Sequence, residues 1–118
     1  MSQRATVLLV DDDPDTVDTM REILEEEGHT VLSAKNGFEG LQVALRSIPD
    51  LVLLDLDMPV MDGRAFLAAV ERAPTLCDVR IVVLSGSEDV LVSCESLRKP
   101  LRLDTLLGLI ERVAGAAS

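Results

Sequence analysis

The sequence predicts an α/β protein built on a doubly wound parallel sheet, and three features carry that prediction. Residues 7–10 and 51–54 are unbroken apolar runs, VLLV and LVLL, with no polar alternation. Such runs mark strands buried on both faces, as in a parallel sheet covered by helices. Each run stops at carboxylates: Asp11, Asp12 and Asp13 after the first, Asp55 after the second. The intervening segments have helical period, and strands alternating with helices at this spacing build parallel sheets.

Taken in order, the first strand gives way to Asp13 and Pro14. Proline suits the first helical position, so Asp13 reads as the N-cap. Val17, Met20, Ile23 and Leu24 form an apolar stripe, closed by Gly28 as a C-cap. His29 is the only histidine, so no histidine cluster or Ser-His-Asp set exists, and a solvated turn is its expected place. Residues 30–34 read as a short strand and Asn36-Gly37 as a turn. Phe38, Leu41, Ala44, Leu45 and Ile48 mark the apolar face of a second helix. Pro49 and Asp50 break the chain before the central strand, which ends at Asp55. Asp57, Pro59, Asp62 and Gly63 have the chemistry of a polar loop. Phe66, Leu67 and Val70 predict a third helix closed by Pro74. Ile81, Val82, Val83 and Leu84 predict a fourth strand ending in Ser85 and Gly86. Leu103, Leu106, Leu107, Ile110 and Val113 predict the last helix, with Asp104 in its first turn and a frayed Ala-Gly tail.

At 118 residues the chain is expected to be one domain, residues 1–118, large enough to bury a core without disulfides. Phe38 and Phe66 are its only aromatics, so aliphatic packing has to fill that core. No apolar run approaches a membrane span and no signal peptide precedes Val7, which predicts a cytoplasmic protein. Cys77 and Cys94 lack metal or redox spacing and are expected to be buried free thiols. The net charge of −10 is uneven: residues 1–62 hold fourteen acids against four Lys or Arg, and residues 63–118 hold seven of each. Direct nucleic-acid binding needs a basic face and is not expected.

In open α/β sheets ligands bind beyond the carboxyl ends of the strands. If the two apolar runs are neighbouring strands, Asp11, Asp12 and Asp55 converge there. Clustered carboxylates repel one another unless a cation or protons intervene. An all-oxygen set of this kind suits Mg²⁺ or Mn²⁺. An acidic loop after a core strand accounts for one such cluster, but poorly for two.

The segments LLVDDDPD, LLDLDMPVMDG, VVLSG and LRKP follow one another in this chain. With them, essentially the whole sequence resembles the receiver domain of two-component response regulators. The resemblance implies a CheY-like, flavodoxin-like fold, a five-stranded parallel sheet in the order 2-1-3-4-5. It implies that Asp55 is the phosphoacceptor and that Asp11 and Asp12, with the backbone carbonyl of Asp57, hold Mg²⁺. Ser85 is expected to hydrogen-bond the phosphoryl group, Lys99 to pair with it, and the Lys99–Pro100 peptide to be cis. Gly86 leaves room beside the group. The implied partners are a histidine kinase or histidine phosphotransfer protein as donor and a downstream protein as target. The chain is then a signalling domain whose only chemistry is its own phosphorylation and dephosphorylation.

Two other classes compete. Asp55-Leu56-Asp57 imitates the nucleophile and general acid of haloacid-dehalogenase-type phosphatases, but that family's pair follows its first strand and its chains are longer. A receiver fold working as a phosphorylation-independent interaction module is the second. Ser96 favours it, standing where the family usually has an aromatic residue.

The spacing departs from the family in one place. Only fourteen steps separate Ser85 from Lys99, about two helical turns fewer than expected. Residues 80–85 should climb about 17 Å, and a parallel fifth strand around residues 94–98 requires the chain to return. The roughly eight intervening residues span about 12 Å as helix but on the order of 26 Å extended. The fourth helix is therefore expected to be lost or reduced to a single turn, with Val90, Leu91 and Val92 lying along the sheet. In the family this helix, the fifth strand and the last helix often carry output or dimerisation. That face is expected to be remodelled, with apolar surface available to a different partner or a dimer.

Overall fold

Four consecutive apolar residues in a strand have two faces to cover, and the computed structural model covers both. It describes residues 4–55, 63–85, 95–98 and 103–117. The elements are β1 (Thr6–Val10), α1 (Pro14–Glu26), β2 (Thr30–Ala34), α2 (Gly37–Ser47) and β3 (Leu51–Asp55). After them come α3 (Gly63–Glu71), a 3₁₀ turn (Pro74–Leu76), β4 (Arg80–Ser85), β5 (Glu95–Arg98) and α4 (Leu103–Ala117). The strands form one all-parallel sheet in the order β2-β1-β3-β4-β5. Fold class and strand order agree with the expectation from sequence. Residues 86–94, where the fourth helix was expected to be missing and Val90, Leu91 and Val92 to line the sheet, lie outside the described residues. So do Cys94 and the Lys99–Pro100 peptide.

Strand side chains alternate in direction, and the alternation splits the core in two. Val7, Leu9, Leu51, Leu53, Val82 and Leu84 meet Leu24 of α1 and Leu106, Leu109, Ile110 and Val113 of α4. Leu8, Val10, Val52, Leu54 and Val83 meet Ala44 of α2 and Phe66 and Val70 of α3 on the other face. Leu76, in the short turn that Pro74 opens, also packs into this second cluster. Sequence reading used Pro74 only as a stop signal.

Helix α1 begins and ends as its sequence dictates. Asp13 caps it, accepting from the Asp15 amide at 3.1 Å, and Gly28 follows its end at φ 91°. A side chain there would be strained. Helix α2 departs from its apolar stripe, because Phe38, Leu45 and Ile48 are exposed. Of the expected stripe Ala44 and Leu41 do face the core, and the helix docks through them together with Gly37, Gly40 and Val43. A Cβ on Gly40 would stand 2.9 Å from Val10 Cγ2 and 3.4 Å from Phe66 Cε2. Small residues let this helix backbone lie almost on the sheet, and that close approach turns Phe38, Leu45 and Ile48 to the rim.

Three further expectations are corrected. His29 is buried, with 6% of its surface exposed, and its Nδ1 accepts the Ala5 amide at 3.1 Å. The residue fills a polar need: Ala5 is buried just before β1, where no neighbouring strand supplies an acceptor. Beside it, the Thr6 amide is taken by Asp50 Oδ2 at 2.8 Å. His29→Ala should therefore cost about 1–3 kcal/mol, the penalty of an orphaned buried donor. His29→Gln, which keeps an acceptor, should recover part of it. Urea melts followed by circular dichroism test this; equal stability of the alanine variant and the parent would refute it. Cys77 is exposed rather than buried, because it ends the 3₁₀ turn on the surface. The Ala-Gly tail is helical, continuing α4 to Ala117. Among the described residues no helix is long and apolar enough to cross a membrane.

Candidate functional site

The register of the sheet assembles the acidic cluster. β1 and β3 are neighbours with Val10 opposite Leu54, so the next step along each strand brings Asp11 beside Asp55. The Asp11 amide extends the ladder to the other neighbour, donating to the Ala34 carbonyl at 3.0 Å. Carboxylate oxygens of Asp11, Asp12 and Asp55 lie within 4.8 Å of one another. Asp55 is buried, Asp11 half-buried and Asp12 exposed, so the cluster opens outward from the strand ends. Asp11 is oriented by the Asp13 amide, which donates to its Oδ1 at 3.0 Å.

The donor set fits a hard divalent cation. Mg²⁺ takes oxygen ligands at about 2.0–2.1 Å, so opposed ligands stand roughly 4.2 Å apart. Three carboxylate oxygens within 4.8 Å approach that span with small rotamer changes. Waters and backbone carbonyls ordinarily complete such shells.

Asp13, next in sequence, has a separate task. The Thr16 hydroxyl donates to its Oδ2 at 2.7 Å, and the Asp15 amide donates to Oδ1. These bonds hold its carboxyl below the ordinary value, the Thr16 bond contributing most. A carboxylate depressed on folding stabilises the native state above its unfolded pKa of about 3.9 and loses that contribution as pH falls through the lower folded value. The first turn of α1 should therefore loosen only below about pH 4. Amide exchange at Asp15 and Thr16 measures this. Asp13→Asn should remove the pH dependence, and an unchanged acid profile in that variant would refute the assignment.

A cleft of about 470 Å³ runs from the acids between α1 and β2, lined among others by Asp11, Asp12, Pro14, Val17, Arg21 and Lys35. Arg21 spans it, donating to Ser33 Oγ at 2.9 Å and to the Val31 carbonyl at 3.3 Å. Sequence reading passed over this arginine. The signal was available: Arg21 stands four residues after Val17 and three before Leu24, on the inward stripe of α1.

Of the other expected site residues, Ser85 ends β4, one step beyond Leu84, which is opposite Asp55. Ser96 lies in β5, paired with Val83. Asp57, Gly86 and Lys99 lie outside the described residues, as do Pro59 and Asp62 of the polar loop.

Comparison with known proteins agrees with this geometry. Residues 7–110 match the family described as the response regulator receiver domain. Protein PilH of Pseudomonas aeruginosa is 32% identical over 117 residues, covering 92% of this chain and 97% of PilH. Transcriptional regulatory protein GlrR of Escherichia coli is 35% identical over 113 residues, covering 91% of this chain but only 26% of GlrR. Among solved structures, Vibrio cholerae chemotaxis protein CheY4 is similar, with a TM-score of 0.83 at 30% identity over 93% of this chain and 98% of that one.

Proposed function

The chain belongs to the response regulator receiver family of two-component systems, and from that premise we propose that Asp55 is its phosphoacceptor. The observation that carries the proposal is the convergence of Asp11, Asp12 and Asp55 at the carboxyl ends of adjacent strands. Aspartate phosphorylation with Mg²⁺ is general in this family, and this chain presents the acids for both tasks. An Asp55 carboxylate oxygen attacks the phosphorus of a phosphohistidine on a kinase or phosphotransfer protein. The new O–P bond forms as the N–P bond breaks, and the imidazole leaves with the electron pair and takes up a proton.

Phosphoryl transfer asks mainly for positioning and charge neutralisation. Mg²⁺ held by Asp11, Asp12 and Asp55, with the backbone carbonyl of Asp57, would supply positive charge against the phosphoryl oxygens. Lys99 supplies a second positive charge and Ser85 a hydrogen bond, both in this reading. Burial of Asp55 at the strand end keeps its carboxylate fixed, while the outward opening toward Asp12 leaves a route for the donor. Signalling then consists of altered contacts with a downstream protein. Ser96 in β5 replaces the aromatic that usually answers phosphorylation, so the response leaves the site through another element.

Acetyl phosphate with Mg²⁺ should add one phosphoryl group, stable in acid and labile in base as an acyl phosphate. Peptide mapping should place it on Asp55, and Asp55→Asn should lack it. Modification persisting in that variant would assign the nucleophile elsewhere. No incorporation from acetyl phosphate or from a phosphohistidine donor would favour the phosphorylation-independent module.

A further inference from the structure

We propose that Arg21 is a latch over the outer edge of the sheet, which keeps the chain from pairing through β2 with a second copy of itself. β2 is the outermost strand, with β1 on one side only. The Thr30 amide donates to the Ala5 carbonyl at 3.0 Å, and the Ala34 carbonyl accepts the Asp11 amide at 3.0 Å. In a parallel ladder the residues bonded to one neighbour alternate along the strand. Thr30, Leu32 and Ala34 therefore turn their backbone groups to β1, and Val31 and Ser33 turn theirs outward. Outward groups of this kind are a template for another strand.

Arg21 lies across that template. Its guanidinium donates to the outward Val31 carbonyl at 3.3 Å and to Ser33 Oγ at 2.9 Å. Asp18 and Glu25 stand one turn away on either side of it along α1, yet the guanidinium goes to a neutral carbonyl and a hydroxyl. The strand itself, TVLSA, carries no charge. Edge strands are ordinarily blunted by a charged side chain, and here α1 supplies it.

What the latch excludes follows from the alternation. Two copies of β2 laid antiparallel about Leu32 set Val31 of each opposite Ser33 of the other. Both residues face outward, so each such pair exchanges two N–H···O bonds. The edge is thus complementary to itself, as a two-fold contact requires. Half of those bonds need the Val31 carbonyl as acceptor, the group that Arg21 occupies. The two-fold would also carry both guanidinium charges into the joint.

Hydrogen exchange and sedimentation equilibrium test the proposal, with circular dichroism to confirm folding. The parent should be monomeric, with the Val31 and Ser33 amides exchanging much faster than the Leu32 amide. Arg21→Met keeps the length of the side chain but removes its donors and charge. That variant should self-associate about tenfold or more tightly than the parent, the worth of the restored hydrogen bonds, and should protect both amides. Ser33→Pro removes an outward N–H and no ladder bond, so Arg21→Met with Ser33→Pro should return to the monomer. Arg21→Lys, which keeps a donor and a charge, should stay monomeric. If Arg21→Met does not fold, Arg21→Gln, a shorter uncharged side chain, takes its place under the same outcomes. A monomeric variant with both amides still in fast exchange would overturn the proposal and leave Arg21 as a tie between α1 and β2. Association that survives Ser33→Pro would overturn it by placing the contact on another face. A parent already paired, with both amides protected, would overturn the latch.

Discussion

Asparagine at position 55 should make the metal-free protein more stable and at the same time remove most of its response to Mg²⁺. Three carboxylates have oxygens within 4.8 Å of one another. At that separation each like-charge pair costs about 0.9 kcal/mol in bulk water and about 3.5 kcal/mol at an effective dielectric of 20. Asp12 is exposed and Asp11 half-buried, so the lower part of that range applies. Removing the Asp55 charge should stabilise the metal-free fold by about 1–2 kcal/mol. In the parent, Mg²⁺ at tenfold excess over its dissociation constant should contribute about 1.4 kcal/mol by mass action on the folded state. Asp12→Asn should act in the same direction, more weakly because water screens it. The chain has no Trp or Tyr, so thermal melts by circular dichroism or calorimetry are the measurement. A parent indifferent to millimolar Mg²⁺, or a variant less stable than the parent without metal, would defeat the metal assignment.

Phe66→Ala should be the most damaging single truncation of the core. Phe66 is fully buried, and it is the only aromatic inside, since Phe38 lies at the surface. Its ring lies within contact distance of the place where a Gly40 side chain would stand, so it fills the space that α2 leaves by docking through glycine. Truncating a buried Phe costs about 3–5 kcal/mol in lost transfer energy and residual cavity. Against a total stability of about 5–15 kcal/mol, that corresponds to a fall of roughly 10–20 °C in Tm. Phe66→Leu should lose well under half as much. A loss below about 1 kcal/mol for the alanine variant would mean that α2 and α3 close over the gap.

The parts of this protein legible in its sequence are those where one residue pattern has one physical solution. VLLV and LVLL could be satisfied only by covering both faces, and a parallel sheet under helices followed; its strand order came from the family resemblance. The convergence of Asp11, Asp12 and Asp55 followed from two strand ends and the adjacency of β1 and β3. What escaped was decided by close packing or by a single polar need. The inward face of α2 is built on Gly37, Gly40 and Ala44, with Leu41 and Val43 packed beside them; Leu41 and Ala44 were read correctly, but the two glycines leave no apolar signal, so Phe38, Leu45 and Ile48 were assigned inward as well. His29 was misplaced because the buried Ala5 amide that it serves, 24 residues away, leaves no trace in local sequence. Arg21 was overlooked because a charged residue on an apolar stripe reads as surface until its acceptors on β2 are known.

The partition of the core by the pleat also bears on how such a chain changes over generations. Val82 and Val83 are covalent neighbours, yet one packs with α1 and α4 and the other with α2 and α3. Residues that share no packing partners combine their substitution effects almost independently. Drift on one face of the sheet therefore places little demand on the other, whereas a change at Leu9 has to be answered within its own cluster. The lineage can rewrite the α1 and α4 side while the α2 and α3 side stands still, and compensating changes should sort by odd and even position along each strand rather than by distance in sequence.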